Sequence, residues 1–589
     1  MTASASSRIE PSVTRNGITV RPTVQIVDGV VRGTLRATSK TSQPLKYEFL
    51  RSSHHGKLSF GTVPTLYIPV DPQSFTILPY ANWLDGSAKG VETFQVLVSE
   101  VADPSKSVEA TISVDVAALA PGDTPIAFTY KVESFNGVKI STNFFPALGL
   151  ASGEQAPTIL YAPGVARAGD TNVYSQVGQA SYLPGIDTWR DNSYNVVTWD
   201  ARGTFDSRGM IHINSPFYEG RDVSSLISWI SEYTPAVLDG SGDPKVGMAG
   251  GSFGGSIQLV AAGTDPRIDG IAPADTWNSL MNVLNPLGTL RWGVVSDLIN
   301  SVDAVGASLN GIIRQSLTQA LLSGRLSAGG QALLAGVGPT ILLHQLQAPV
   351  LLIQDAGNTT MSLTESANNA MMIMDNPFGT PVNLEWIDSR LSDDQSASMY
   401  QKVIDDTVAW MDYYVSGIPN YVNFLPQLQW WDQNGDAYSS SLYPFDIGFN
   451  STPLTATKAR GSLQIATGYK VPVTQVNIDL PCAAGFSVVA EPTIAFTYRG
   501  SGDARAVFAR VIDKDSGEMI GSGDSPIPVR LDGQSHTVSV ALPYMMYRCS
   551  AAGDTVLQVQ IRSAGVTFAR RASGSVNLSS IQVQIPIVD

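Results

Sequence analysis

Three hydrophobic patterns succeed one another along the chain. From Ile18 to about Val116, apolar and polar residues alternate with the period of half-buried strands. Val108, Ala110, Ile112, Val114 and Val116 form one such face, and Phe94, Val96 and Val98 repeat it, as do Phe75 and Ile77. This predicts a small β-sandwich over 18–119, behind a loose polar tail at 1–17 and ahead of a linker around the Ala-Pro-Gly-Asp stretch of 117–124. From Pro125 to about Pro426 the period changes. Thr158-Ile-Leu-Tyr-Ala, Tyr194-Asn-Val-Val-Thr-Trp, Lys245-Val-Gly-Met-Ala and Ala348-Pro-Val-Leu-Leu-Ile are short apolar runs of buried-strand type. Between them lie helical stripes such as Val223, Leu226, Ile227 and Ile230. Strands alternating with helices predict a mostly parallel sheet covered on both faces, hence an α/β domain over 120–427. Within it, 279–345 is helical and rich in Ala, Leu and Gly, and reads as a cap over the sheet's C-terminal edge. After Trp430-Trp-Asp-Gln-Asn-Gly the strand period returns at Val538, Val540 and Leu542, at Leu557, Val559 and Ile561, and at Ile581, Val583 and Ile585. That predicts a second, larger β-sandwich of jelly-roll size over 428–589. The expected fold class is multidomain, α/β plus all-β.

Composition narrows the function. Of 589 residues, 43% are hydrophobic and 15% charged, which is ample for several cores and too little charge for a disordered chain. A net charge of −14, with no run of Lys or Arg, disfavours nucleic acid or an anionic membrane as partner. No apolar stretch reaches the roughly 18 residues of a bilayer span. The start, Met1-Thr-Ala-Ser-Ala-Ser-Ser, has neither the basic nor the apolar region of a signal peptide. Cys482 and Cys549 are the two cysteines, and no histidine sits beside them at metal-ligand spacing. A disulfide between them would close a loop of about 68 residues and contribute about 4 kcal/mol; two unrelated buried thiols is the other reading. No metal or other cofactor is expected.

The strongest chemical motif is Gly250-Gly251-Ser252-Phe253-Gly254. It follows the apolar strand Val246-Gly-Met-Ala and precedes the helical run Ser256-Ile-Gln-Leu-Val-Ala-Ala, the strand, tight turn and helix context of a nucleophile elbow. The helix start then offers the Phe253 amide and a positive dipole end to an oxyanion.

Around the elbow the sequence resembles the Xaa-Pro dipeptidyl-peptidase and cocaine-esterase family. The likeness rests on Asn195-Val-Val-Thr-Trp-Asp-Ala-Arg-Gly-Thr-Phe-Asp-Ser-Arg-Gly, Glu219-Gly-Arg-Asp-Val, Thr264-Asp-Pro-Arg-Ile-Asp and Trp277-Asn-Ser-Leu. It continues through Thr407-Val-Ala-Trp-Met-Asp-Tyr-Tyr-Val-Ser-Gly and Leu428-Gln-Trp-Trp-Asp-Gln-Asn-Gly-Asp, and spans roughly 120–589. The module at 18–119 lies outside it and looks like the immunoglobulin-like modules of bacterial envelope proteins. The resemblance implies an α/β-hydrolase with a helical cap and a C-terminal jelly roll, cleaving peptides after proline, or esters and amides, through a Ser-Asp-His triad. It places Ser252 at the nucleophile and Phe253 and Val165 at the oxyanion amides.

The other two triad positions do not follow the pattern. The segment that should carry the acid is Leu351-Leu-Ile-Gln-Asp-Ala-Gly-Asn-Thr-Thr, with Asn358 at the matching place and Asp355 three residues early. Where the family has a Gly-Gly-His turn, Asn383-Leu-Glu-Trp-Ile is followed by Asp388-Ser-Arg-Leu-Ser-Asp-Asp. The histidines are His54, His55, His212, His344 and His536, and none lies between Gln345 and Ser535. His54 and His55 read as a loop pair, His344 as structural, His536 as surface; His212 is the one stand-in base near the cleft. The acid pairs Asp393-Asp394 and Asp405-Asp406 read as the solvated face and cap of the last helix. Glu219 and Asp222 read as capping residues at a helix start, and Asp200 and Arg202 as groups that hold a loop in shape. Asp432-Gln-Asn-Gly-Asp reads as a turn.

Two functional classes follow. One is a catalytically degenerate hydrolase, exported or on the cell envelope, that binds a small molecule, peptide or envelope component, or self-assembles. The other is an active serine hydrolase using Ser252 with an unconventional base. The missing imidazole favours the first, and enzyme status is open on sequence grounds.

Overall fold

The computed structural model describes residues 8–9, 12–60, 73–468, 471–569 and 571–588. They fall into two compact units: Met1–Pro163, Arg167–Gly209 and Arg221–Met248 form the first, and Gly164–Ala166, Met210–Gly220 and Ala249–Asp589 the second.

In the first unit, the alternating N-terminal sequence makes two antiparallel sheets. One holds Ile18–Val27, Val30–Ser39, Gln73–Leu78 and Lys57–Phe60; the other holds Leu45–Ser52, Val91–Glu100 and Ser107–Asp115. The face Val108, Ala110, Ile112 and Val114 is buried in one core with Phe75 and Phe94, as a two-residue period demands. At the entry to the expected linker, Asp115 accepts the Ala118 amide at 3.1 Å and caps one helical turn, Val116–Leu119. The α/β part follows. Strands β1 (Phe128–Glu133) and β2 (Lys139–Phe145) form a hairpin, β2 runs antiparallel to β4 (Asn195–Trp199), and β4 runs parallel to β3 (Thr158–Tyr161). Every residue of β3 and β4 is buried, as the continuous apolar runs of a doubly covered strand require.

A buried arginine joins the two parts of this unit. Arg190 is 1% exposed; its Nε donates to the Pro146 carbonyl at 2.7 Å and its Nη2 to the carbonyl of Asp28, in the turn between two sandwich strands. At the next residue, Gly29 (φ +71°), a Cβ would lie 2.8 Å from the Pro146 ring, so glycine is required by both conformation and space. Burial lowers the Arg190 pKa to about 10.

Helix α1 (Glu219–Tyr233) and strand β5 (Val246–Gly251) lead on to the second unit. There β6 (Gly270–Ala274), β7 (Val350–Asp355), β8 (Val382–Ile387) and β9 (Leu428–Trp431) are successive parallel neighbours. Leu428–Trp431 thus adds to the parallel strands, and Ala437–Ser440 folds back on it antiparallel. Helix α2 (Phe253–Ala262) follows β5. The strandless segment forms a cap of four helices, α3 (Leu280–Leu284), α4 (Trp292–Ala304), α5 (Gly311–Ser323) and α6 (Ala328–Ala335). Ser279, Asn310 and Ser327 cap three of them through side-chain oxygens, and Gly324, with φ 74°, ends α5. Helices α7 (Leu363–Met374) and α8 (Asp393–Met411) complete the α/β part.

The C-terminal region is all β. One antiparallel sheet orders Thr452–Ile465, Gly574–Ile587, Thr493–Gly502 and Asp532–Ala541; a second orders Gln475–Pro481, Val556–Arg562, Ala506–Asp513 and Met519–Pro528. Their inner faces share one core that includes Ile494, Phe496, Val559, Ile561, Ile581 and Val583. Cys482 and Cys549 lie in that core as a disulfide, Cα to Cα 6.1 Å. The multidomain α/β plus all-β class expected from the hydrophobic pattern is the fold observed. Among the described residues no helix is long and apolar enough to cross a membrane.

Closing a loop between residues 67 apart restricts the unfolded chain by about 4 kcal/mol in the loop-entropy account. The denatured, unreduced protein is therefore expected to titrate no free thiol, and the double variant Cys482→Ser/Cys549→Ser to melt several degrees lower. Two free thiols per chain would contradict the bond.

Candidate active site

The site is built on a strained turn. Ser252 stands between β5 and α2 with φ 57° and ψ −116°, a conformation that side chains other than glycine adopt at a cost of about 1–3 kcal/mol. Its amide donates to the Ala274 carbonyl of β6 at 2.8 Å, and its own carbonyl accepts the Gly255 and Ser256 amides at 3.0 and 3.1 Å. A Cβ at Gly255 would lie 2.6 Å from the Ala274 oxygen and 2.8 Å from the Thr276 Cβ, so only glycine lets α2 approach β6 this closely. Gln258 secures the approach. Fully buried, it donates through Nε2 to the Gly250 and Gly254 carbonyls (2.9 and 2.8 Å) and accepts the Ala272 amide at 3.1 Å. Ala166, Ile213, Asn214 and Asp275 also have φ between 46° and 57°, and the Asn214 amide holds the Phe253 carbonyl at 2.7 Å.

Above the serine is a cavity of about 270 Å³. Phe253, Val165, Trp277 and Met361 line it together with Leu280, Val283 and Leu298 of the cap, and the polar groups on its wall include Ser252, Asn358, Thr360 and Asp297. Cap and elbow share one apolar cluster, in which Phe253 and Trp277 meet edge to face at 6.0 Å. Phe253 opens α2, so its amide has no intrahelical acceptor.

The acid segment brings Asn358 to the cavity and takes Asp355 away. Asn358 Oδ1 accepts the Thr360 and Met361 amides at 2.9 and 3.0 Å, closing its own loop and leaving the amide nitrogen as its free end. Asp355 accepts the Gly357 and Ser389 amides (2.8 and 2.9 Å) and the Ser389 hydroxyl (2.5 Å), so both carboxylate oxygens are used inside the loops after β7 and β8. Next to Ser389, Asp388 is held by Arg390 through two bonds of 2.8 and 2.5 Å.

His212 does not meet Ser252. Its ring stacks on Tyr218 at 3.6 Å, its Nε2 lies 3.2 Å from the Asn310 amide, and its backbone amide donates to Glu219 at 2.5 Å. Among the described residues the Ser252 hydroxyl has no hydrogen-bond partner. His344 is exposed just before β7, His536 pairs with Asp532 at 2.8 Å, and His54 bonds Ser53 in an exposed turn with His55 beside it. No cluster of metal-binding side chains occurs among the described residues. Asp200 accepts the Gly169 amide at 2.9 Å and Lys57 at 3.2 Å, in keeping with a loop-holding role. The turn at Asp432 closes through bonds to the Asn434 and Asp436 amides.

Two expectations are corrected. Glu219, the first residue of α1, accepts the His212 and Ser215 amides and fixes the loop before the helix. Asp222 forms a buried two-bond pair with Arg202 at 2.7 and 2.6 Å and accepts the Ser134 hydroxyl. Asp406 is fully buried rather than solvated, because it faces Glu385 of β8 as well as Lys402 and Tyr421 (2.6 Å). Burial and the Asp406 carboxylate push the Glu385 carboxyl well above its ordinary range.

Sequence reading missed the groups that set the site's shape. Gln258 was visible as the single polar residue in Ile257-Gln-Leu-Val-Ala-Ala, a signal for a buried amide. Arg291, at the start of α4, donates to the Thr360 carbonyl at 2.8 Å and to that of Thr359, clamping the Asn358 loop to the cap; burial lowers its pKa to about 10. Glu365 of α7 accepts the Asn278 and Ser279 amides at 2.8 and 3.0 Å, fixing the entry to α3.

Glu365 is 5% exposed, and desolvation outweighs the two amides and Arg291, raising its pKa from 4.5 to about 7. A carboxyl whose folded pKa lies above its unfolded value stabilises the fold fully below pH 4.5, and that contribution is lost as pH rises to about 7. Glu365→Gln keeps the acceptor without the charge. Its stability relative to wild type is expected to rise between pH 4.5 and pH 8 by up to about 3 kcal/mol, measured by denaturant melts at each pH. A difference independent of pH would show that Glu365 is ionised throughout.

Comparison with known proteins agrees with this geometry. Residues 136–314 match the model of the X-Pro dipeptidyl-peptidase (S15) family. No curated protein matches the chain. Among solved structures, an aminopeptidase from a marine sediment Thaumarchaeota archaeon is similar at 12% identity and a TM-score of 0.57, over 79% of this chain and 96% of that one. A puromycin-hydrolyzing peptidase of Mycobacterium tuberculosis is similar at 14% identity and a TM-score of 0.38, over 69% of this chain and 54% of that one. At such identities the first likeness speaks for the fold alone. The elbow, the cap and the parallel strands agree with the family match, and residues 136–314 are an X-Pro dipeptidyl-peptidase (S15) family domain within an α/β-hydrolase fold.

Proposed function

We propose that this chain is a catalytically degenerate serine hydrolase, one that keeps the binding half of the site and has lost the proton-transfer half. The observation that carries the reading is the Ser252 hydroxyl without a base. A serine hydroxyl needs a group with pKa near the working pH to take its proton, and an acid to orient that group. Asn358 bears no charge to steady an imidazolium, and its carbonyl is already used by its own loop. Asp355 and Asp388 are committed to Ser389 and Arg390.

What persists suits binding. Phe253 at the helix start, Val165 and Asn358 line the same cavity as Ser252, beside the apolar residues of the cap. The ligand this supports is a small molecule or peptide end with an apolar body and a carbonyl or carboxylate. Export or display at the cell envelope is part of the proposal. Its supports are the disulfide, which persists in oxidising compartments, and the β-sandwich modules at either end of the chain. An envelope component or a second copy of the chain is the corresponding partner class.

The strain kept at Ser252 favours the alternative, an active hydrolase with an unconventional base. Kinetics decide between them. Loss of the triad histidine lowers kcat by about 10⁶, so turnover of p-nitrophenyl esters and Xaa-Pro amides at neutral pH is expected to equal that of Ser252→Ala, and fluorophosphonate to leave Ser252 unlabelled. Labelling at Ser252, with turnover that vanishes in Ser252→Ala, would overturn the proposal. Loss of that turnover in His212→Ala as well would identify the base.

A further inference from the structure

A second concave site lies in the same unit, where the cap meets the C-terminal β region, and its chemistry is opposite to that of the chain as a whole. It is a cleft of about 330 Å³ lined by Arg325, Arg505 and Arg571, with Asp503 as the single carboxylate on its wall among the described residues. Buried Phe508 and Phe568, tilted against each other with ring centroids 4.7 Å apart, line it. In a chain of net charge −14, three guanidiniums around one cavity create a local positive field where self-repulsion is weakest if an anion sits between them.

The three arginines are not equivalent. Arg571 is fixed: its Nη1 donates to the Leu321 and Leu322 carbonyls at 2.9 and 2.8 Å, in the last turn of α5, and its guanidinium lies 6.0 Å from the Trp292 ring. It therefore caps a helix end and presents its remaining N–H groups at a set angle. Arg325 follows the left-handed Gly324 that ends the same helix, and Arg505 immediately precedes the strand Ala506–Asp513. Among the described residues neither of these two guanidiniums has a hydrogen-bond or ion-pair partner. Asp503 forms no ion pair with them among the described residues; its Oδ1 accepts the Ser573 amide at 2.7 Å, and its carboxylate places one opposing charge on the wall.

We propose that this cleft binds a small oxyanion-bearing ligand, one carrying carboxylate or phosphate groups, with Arg325 and Arg505 as the charge-assisted donors and Arg571 as the fixed one. Guanidiniums match both groups through paired N–H bonds, and the aromatic lining suits an apolar body attached to the anion. The site is independent of Ser252.

The test uses the whole chain at low ionic strength, with inorganic phosphate and citrate as the two probes and sodium chloride at matched ionic strength as control. Calorimetric titration is expected to show binding of at least one probe, saturating at one site. Citrate alone would identify the carboxylate source, and phosphate alone the phosphate source. Arg325→Gln and Arg505→Gln should each weaken binding about tenfold or more, Asp503→Asn should tighten it, and Ser252→Ala should leave it unchanged. The glutamine variants remove exposed side chains, and melting curves equal to wild type would show them folded. Should one fail to fold, Asp503→Asn still reads the sign of the field. No heat beyond the chloride control with either probe, or binding undiminished in the folded double variant, would overturn the proposal.

Discussion

The close approach of helix α2 to strand β6 is the constraint on which the site depends. Because Gly255 has no Cβ, the helix lies against the Ala274 carbonyl, and the chain between β5 and α2 has no room for a relaxed turn. Ser252 is forced into its strained conformation and onto the floor of the cavity. Gln258 then replaces the hydrogen bonds that such a sharp turn leaves open on Gly250, Gly254 and Ala272. The elbow therefore belongs to backbone packing, and it survives whether or not a base stands over the serine.

The rest of the site was shaped by partners rather than by the serine. Each group that could have served catalysis has been drawn into a local bond: Asn358 into its loop, Asp355 to Ser389, Asp388 to Arg390, His212 to Tyr218 and Asn310. Such bonds favour one fixed arrangement of each loop. The Arg291 clamp acts likewise on the cap side of the Asn358 loop.

How much of this was legible in the sequence depended on distance along the chain. The elbow and the alternating strands are local, and residue type with spacing reveals them. Glu365 with the Asn278 and Ser279 amides and Arg202 with Asp222 are pairings across long separations, and nothing in either residue's neighbourhood points to its partner. Asp406 is the instructive case. Beside Asp405 it looked like solvated charge, yet it shares a helix face with buried Val403 and Trp410, and the helical period was the better guide.

Arg190 gives the N-terminal module a different standing from that of a bead on a string. Its guanidinium is solvated by a carbonyl of the module as much as by one of the α/β part, so neither half is a finished surface without the other. A lineage that lost the module would leave Arg190 with the Pro146 carbonyl alone and would open to solvent the surface that Asp28 and Gly29 cover. The two halves are in that sense a single heritable unit, and shuffling that respects this would cut the chain elsewhere.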